Sequence, residues 1–156
     1  MLATSEPRVL VQLSPFRVED AYECTQTVRE EPGLAHLGDI EASYRTYTQH
    51  PGWTLRVGDN IIGCAGVLHM WTGHGMAWLL PSPIIHRYPK SVVLAVVNQL
   101  RGLIRENDYR RISCTVEATY TTGRRFVEWL GFMPEGTMIK YGPKGEDHIL
   151  YAWIRP

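Results

Sequence analysis

The sequence lacks an excess of charge of either sign: sixteen Lys and Arg balance sixteen Asp and Glu, and the estimated pI is near 7.0. With no net field to hold a polyanion, nucleic-acid binding is not expected. Cysteine is scarce and unclustered. Cys24, Cys64 and Cys114 are odd in number, far apart and set among apolar or strand-forming neighbours, with no CxxC pattern. Buried free thiols are therefore expected and a bound metal is not. Long hydrophobic runs are missing as well. The longest apolar window, Ser91 to Ile104, is interrupted by Asn98, Gln99 and Arg101, so no membrane span is read. The opening "MLATSEPRVL" has neither a basic start nor a continuous apolar stretch, which gives no secretory signal and leads to the expectation of a cytoplasmic protein. There is no G-x-S-x-G elbow, no Walker pattern and no H-E-x-x-H.

What is present suits one globular domain over residues 1–156, with 44% hydrophobic and 21% charged residues and no internal repeat or linker. Val9 to Pro15 alternates apolar and polar residues as a half-buried strand does. Val18, Ala21, Tyr22, Thr25 and Val28 then recur at helical spacing, up to a stop at Pro32-Gly33. A second helix is predicted from about Gly38 to Gln49, with Ile40, Tyr44 and Tyr47 as its stripe. Strands Trp53 to Val57 and Ile61 to Trp71 flank the turn Gly58-Asp59-Asn60, and a third, Gly75 to Pro81, follows the turn Gly73-His74-Gly75. Strands in succession, without helices between them, make an antiparallel meander.

The period then changes. Val92, Val93, Val96, Val97, Leu100, Leu103 and Ile104 form one helical face behind Pro89. A strand from Arg110 to Ala118, a short helix from Thr121 to Leu130, and strands from Phe132 to Met138 and His148 to Ile154 complete the chain. The fold class is α/β (α+β): a mixed, mostly antiparallel sheet of about six or seven strands flanked by about four helices.

At Leu130-Gly131-Phe132, followed by Glu135-Gly136, this order resembles the GNAT (Gcn5-related N-acetyltransferase) superfamily, whose fourth helix ends in a Leu-Gly-Phe turn feeding the sixth strand. Within the last third, "YGPKGEDHILYAWI" looks like the paired C-terminal strands of small phage-encoded members, including the internal virion protein A family of short-tailed phages. The resemblance implies acetyl-CoA as cofactor, bound where a Gly-rich loop presents N–H groups to a pyrophosphate at a helix N-terminus.

Here the matching stretch, Leu79 to Val93, contains no glycine, and Pro81, Pro83 and Pro89 remove three donors. Leu79, Leu80, Ser82, Arg87, Lys90 and Ser91 are the candidate cofactor-binding residues, and acetyl-CoA binding is expected to be weak or absent. The tyrosine that serves many members as general acid is replaced by Val127, and Tyr120 stands where an asparagine is often found. Tyr120 is the candidate acid and Glu117, at a strand end, the candidate base, with His74 and His69 the histidines best placed for such work.

Two readings follow. In the first, the chain is a phage-encoded, catalytically degenerate GNAT-fold component of a virion or of its assembly. It would associate with other phage structural proteins or with itself, in the host cytoplasm and the virion. In the second, it is an N-acetyltransferase with an atypical pyrophosphate loop, acting on an amine of a small molecule or protein. The cleft separates them: open for the enzyme, plugged by Ile84, Ile85 or Trp78 for the assembly component.

Overall fold

The computed structural model describes residues 9–24 and 37–156. Strand β1 (Gln12–Pro15) leads to helix α1 (Val18–Cys24), and helix α2 (Leu37–Tyr47) precedes the meander β2 (Gly52–Val57), β3 (Asn60–Trp71) and β4 (His74–Pro81). A 3₁₀ turn (Ile85–Arg87) and the long helix α3 (Pro89–Asn107) connect to β5 (Arg111–Glu117), after which come α4 (Thr121–Trp129), β6 (Met133–Met138) and β7 (His148–Ile154). The element order is the one expected from periodicity. The part of the first expected helix beyond Cys24 lies outside the described residues, and β4 begins at His74, inside the segment read as a turn.

The seven strands form one sheet in the order β1-β2-β3-β4-β5-β7-β6. All neighbours are antiparallel except β4 and β5, which α3 joins as a crossover. Period-two alternation divides β3 between two cores. Cys64 packs with Phe16, Ala21 and Tyr44 on the α1 and α2 side. Ala65 and Val67 face the other side, where Val92, Leu103, Ile112 and Phe132 are buried.

Helix α1 is fixed to the sheet by a buried charge. Asp20 is 2% exposed; it accepts a hydrogen bond from Thr54 Oγ1 at 2.6 Å and one from Arg56 Nη2 at 3.2 Å. Losing the Asp20 carboxylate would leave the Thr54 hydroxyl and the Arg56 guanidinium without this partner. One turn on, Cys24 Sγ lies 3.6 Å from Cys64 Sγ, and this contact, then burial, pushes the Cys24 thiol up. All three cysteines are buried free thiols, as expected.

Helix α4 ends as its sequence dictates. Gly131 has φ +95°, its N–H donates to the Glu128 carbonyl at 3.0 Å, and the Phe132 N–H donates to the Val127 carbonyl at 3.1 Å. These are the two bonds of a Schellman cap. They drop Phe132 into the core at 3% exposure, and so aim the chain into β6.

Candidate functional site: a cleft between two parting strands

β4 and β5 pair only at His74–Arg111, Gly75–Ile112 and Met76–Ser113. Beyond these, β4 continues to Pro81 against β3 while β5 continues to Glu117 against β7, so their facing edges part. Backbone groups along those edges have no ladder partner across the gap. A cavity of ≈ 210 Å³ opens in the wedge. Ala77 and Leu79 of β4, Cys114 and Val116 of β5, and faces of α3 and α4 line it.

The wall is apolar, and Glu117 is its one carboxylate among the described residues. Glu117 sits at the end of β5, exposed, and its Oε1 accepts from Thr119 Oγ1 at 3.1 Å. The chain then turns, the Tyr120 N–H donating to the Glu117 carbonyl at 2.9 Å. Tyr120 is the N-cap residue of α4 and also lines the cavity. A Cβ placed on Gly123 would lie 2.4 Å from Tyr120 Cδ1, so the phenol ring packs over the bare glycine. Tyr120, Gly123 and Val127 recur at helical spacing on the face of α4 that meets the cavity. The Tyr120 hydroxyl has no hydrogen-bond partner among the described residues and the side chain is 46% exposed. Both candidate catalytic residues therefore meet at one cavity.

The candidate cofactor-binding residues divide. Leu79 lines the cavity, whereas Leu80 points to the other side of the sheet and packs on the cluster of Cys24 and Tyr44. Ser82 is buried and spends its groups inside the loop: its N–H donates to the Ile62 carbonyl at 3.1 Å and its Oγ accepts from the Ile84 N–H. The 3₁₀ turn uses up the N–H groups of Ile85, Arg87 and Tyr88 on its own carbonyls. The first bond of α3 runs from the Val92 N–H to the Tyr88 carbonyl at 3.0 Å. Ahead of it, the N–H groups of Lys90 and Ser91 have no backbone acceptor among the described residues. The Arg87 and Lys90 side chains are exposed there and pair with no described carboxylate.

Two of the three proposed plugs are out of the way, and the third, Trp78, forms part of the cavity wall. Ile84 and Ile85 pack down on the cluster of Leu55, Ile62 and Val92. Trp78, whose indole reaches the cavity, lies over Gly52 and Gly66, with Tyr47 stacked on it at 4.4 Å and 16°. A Cβ on Gly66 would come within 2.8 Å of the indole and 2.5 Å of the Pro51 carbonyl oxygen.

The two histidines lie elsewhere. His74 is at the closed end of the wedge, where its Nε2 bonds Ser113 Oγ at 2.8 Å and Trp71 packs edge-on. Burial, then the Arg111 cation, hold His74 below the usual histidine range. His69 is beside it, with Nδ1 3.4 Å from the Tyr109 hydroxyl. Neither lines the cavity. Tyr47, expected in the stripe of the second helix, stacks on Trp78, and Tyr141 packs edge-on against His148, the cross-strand partner of Glu117.

Among the described residues no group of three or more His, Cys, Asp or Glu could hold a metal, and no helix is long and apolar enough to cross a membrane.

No family model and no curated protein matches the chain. Solved structures do. Ard1 from Thermoplasma volcanium superposes with a TM-score of 0.71 at 16% identity, over 94% of this chain and 98% of that one. Mycobacterium smegmatis RimJ, solved in complex with CoA-disulfide, gives 0.70 at 18%, over 95% and 83%. Salmonella typhimurium yncA, solved with acetyl-CoA, gives 0.67 at 12%, over 92% and 93%. At these identities the likeness is one of fold, and the fold of this chain is that of the GNAT acetyltransferases.

Proposed function

We propose that the protein is an acetyl-CoA-dependent N-acetyltransferase with an unusual phosphate-binding segment. The observation that carries this reading is the open, apolar cavity between the parted strands β4 and β5, with Glu117 and Tyr120 both in its wall. Acetyl-CoA supplies an acetyl group activated as a thioester. The residues present fit it in a reduced way: the Lys90 and Ser91 N–H groups and the Arg87 and Lys90 side chains would hold phosphates at the start of α3. The apolar walls shut water out of the wedge, where a thioester would otherwise hydrolyse.

Glu117 is placed to take the proton that an incoming ammonium must lose before its nitrogen can attack a carbonyl carbon. Tyr120, with its hydroxyl unengaged, would give its proton to the departing thiolate of coenzyme A as the C–S bond breaks. The general acid thus enters from the N-cap of α4, two turns ahead of Val127.

The degenerate particle component remains as a second reading, favoured by the glycine-free segment and by Val127. The unplugged cavity counts against it. A thiol-release assay with acetyl-CoA and a pool of primary amines tests the proposal: amine-dependent release of coenzyme A supports it, and release no faster than the amine-free blank at millimolar substrates overturns it.

A further inference from the structure

A second hollow, of ≈ 660 Å³, lies beside the C-terminal half of α3. Its floor is apolar and drawn from four elements: Leu100 and Ile104 of α3, Leu130 and Phe132 of the turn that ends α4, Ile112 of β5 and Trp153 of β7. Ile112 and Trp153 are cross-strand partners, so their side chains stand together on the face that α3 covers. Ile112 and Phe132 are buried and Trp153 is half-buried. Leu100, Leu130 and Phe132 also line the wedge, and so stand between the two spaces.

The rim is polar and of one sign. Asn98, Arg101 and Arg105 line the hollow from one face of α3, at i, i+3 and i+7, and all three are exposed. Two cations four residues apart on a helix repel each other, and nothing nearby offsets them. No carboxylate lines the hollow among the described residues, and neither guanidinium forms an ion pair with one. Asp108, the acid at helical spacing from Arg105, is spent on Arg155 Nη1 at 2.6 Å. Residues 1–8 and 25–36, outside the described set, join the chain elsewhere. The first join is beside β1, at the far edge of the sheet from β7, and the others are at the helices α1 and α2, which pack on the opposite face.

Charge complementarity then selects the ligand. An apolar floor takes an apolar body, and two unpaired guanidinium groups take an anion, best a planar carboxylate that accepts two N–H bonds from one fork. An apolar amine would meet repulsion at the rim, and a bare small anion would leave the floor in water. We infer that this hollow is a binding site for an apolar carboxylate, its hydrocarbon body on Leu100, Ile104 and Trp153 and its charge on Arg101 and Arg105. The site is separate from the parted edges of β4 and β5, and the inference does not depend on the acetyltransferase reading.

The test is calorimetric titration of the full chain with decanoate, decylamine and acetate, repeated on Arg101→Gln/Arg105→Gln and on Arg101→Glu/Arg105→Glu. Both pairs of changes are at exposed helix positions and should leave the fold intact, which a melting curve checks. Decanoate is expected to bind with a dissociation constant below about 1 mM, and decylamine and acetate about tenfold more weakly or worse. The Gln variant should weaken decanoate about tenfold, and the Glu variant should reverse the preference towards decylamine. Decanoate binding that the Gln variant leaves unchanged, as it would be if the chain sat in the wedge instead, overturns the inference. So does equal binding of decylamine and decanoate by the wild-type protein, or no decanoate binding at millimolar ligand.

Discussion

Glu117 and Tyr120 are joined by one turn of backbone, the Tyr120 N–H bonded to the Glu117 carbonyl at 2.9 Å, and both line the same cavity. A carboxylate and an unengaged phenol are thereby brought to one rim by three residues of chain, independent of the long-range packing that shapes the wedge.

Glu117→Gln keeps the shape and the Thr119 hydrogen bond but loses the base. Turnover is expected to fall about a hundredfold or more, with the thermal midpoint within about a degree, since an exposed side chain contributes little to stability. Steady-state rates and a melting curve on the same sample check both.

Gly123→Ala separates stability from activity. Alanine favours the helix by about 1 kcal/mol, yet its Cβ would lie 2.4 Å from the Tyr120 ring and 3.1 Å from Val116 Cγ1. The ring at the helix start is exposed on one side and swings away. The variant should melt no lower than the wild type and turn over more slowly, approaching Tyr120→Phe.

Gly131→Ala strains the Schellman cap, because a side chain at φ +95° costs about 1–2 kcal/mol. Nothing crowds the site closely, the nearest atom to such a Cβ being Trp153 Cδ1 at 4.0 Å. The loss should appear as a lower denaturant midpoint with an unchanged slope.

Burial pushes the Cys114 thiol up to about 12, from an ordinary value of 9.0. The neutral thiol is what the fold accommodates, so its contribution is complete below pH 9 and is lost as pH rises from 9 towards 12. Cys114→Ala should flatten the fall in stability over that window, read from chemical denaturation at successive pH values. At pH 8 the native protein should leave all three thiols unreacted with a chromogenic disulfide reagent, and unfolding should release them.

Local chemistry explains what the sequence disclosed. Leu130-Gly131-Phe132 specifies its own cap, and the valine stripe from Val92 to Val97 specifies a helix, because the interacting residues are a few positions apart. The site is legible only where it is local in the same way, as in the short connection from Glu117 to Tyr120. Ser82 looked like a free donor, but its N–H meets Ile62, twenty residues upstream, across a strand register that single-sequence periodicity does not contain. His74 and His69 looked well placed for catalysis; the parallel pairing of His74 with Arg111 puts them at the closed end of the wedge. Trp78 was a candidate plug of the cleft. Its position depends on Gly52 and Gly66, bare residues on two other strands that meet beneath the indole only once the sheet is assembled. The buried role of Asp20 is not legible in the sequence, because nothing near it there announces Thr54 and Arg56.

The most direct test is calorimetric titration of the protein with acetyl-CoA and with coenzyme A, alongside the double variant Arg87→Ala/Lys90→Ala. The account predicts a dissociation constant at or below about 100 µM, roughly 5.5 kcal/mol, weakened about tenfold or more in the variant as two cations leave the start of α3. No detectable binding to the wild-type protein at millimolar ligand would contradict it.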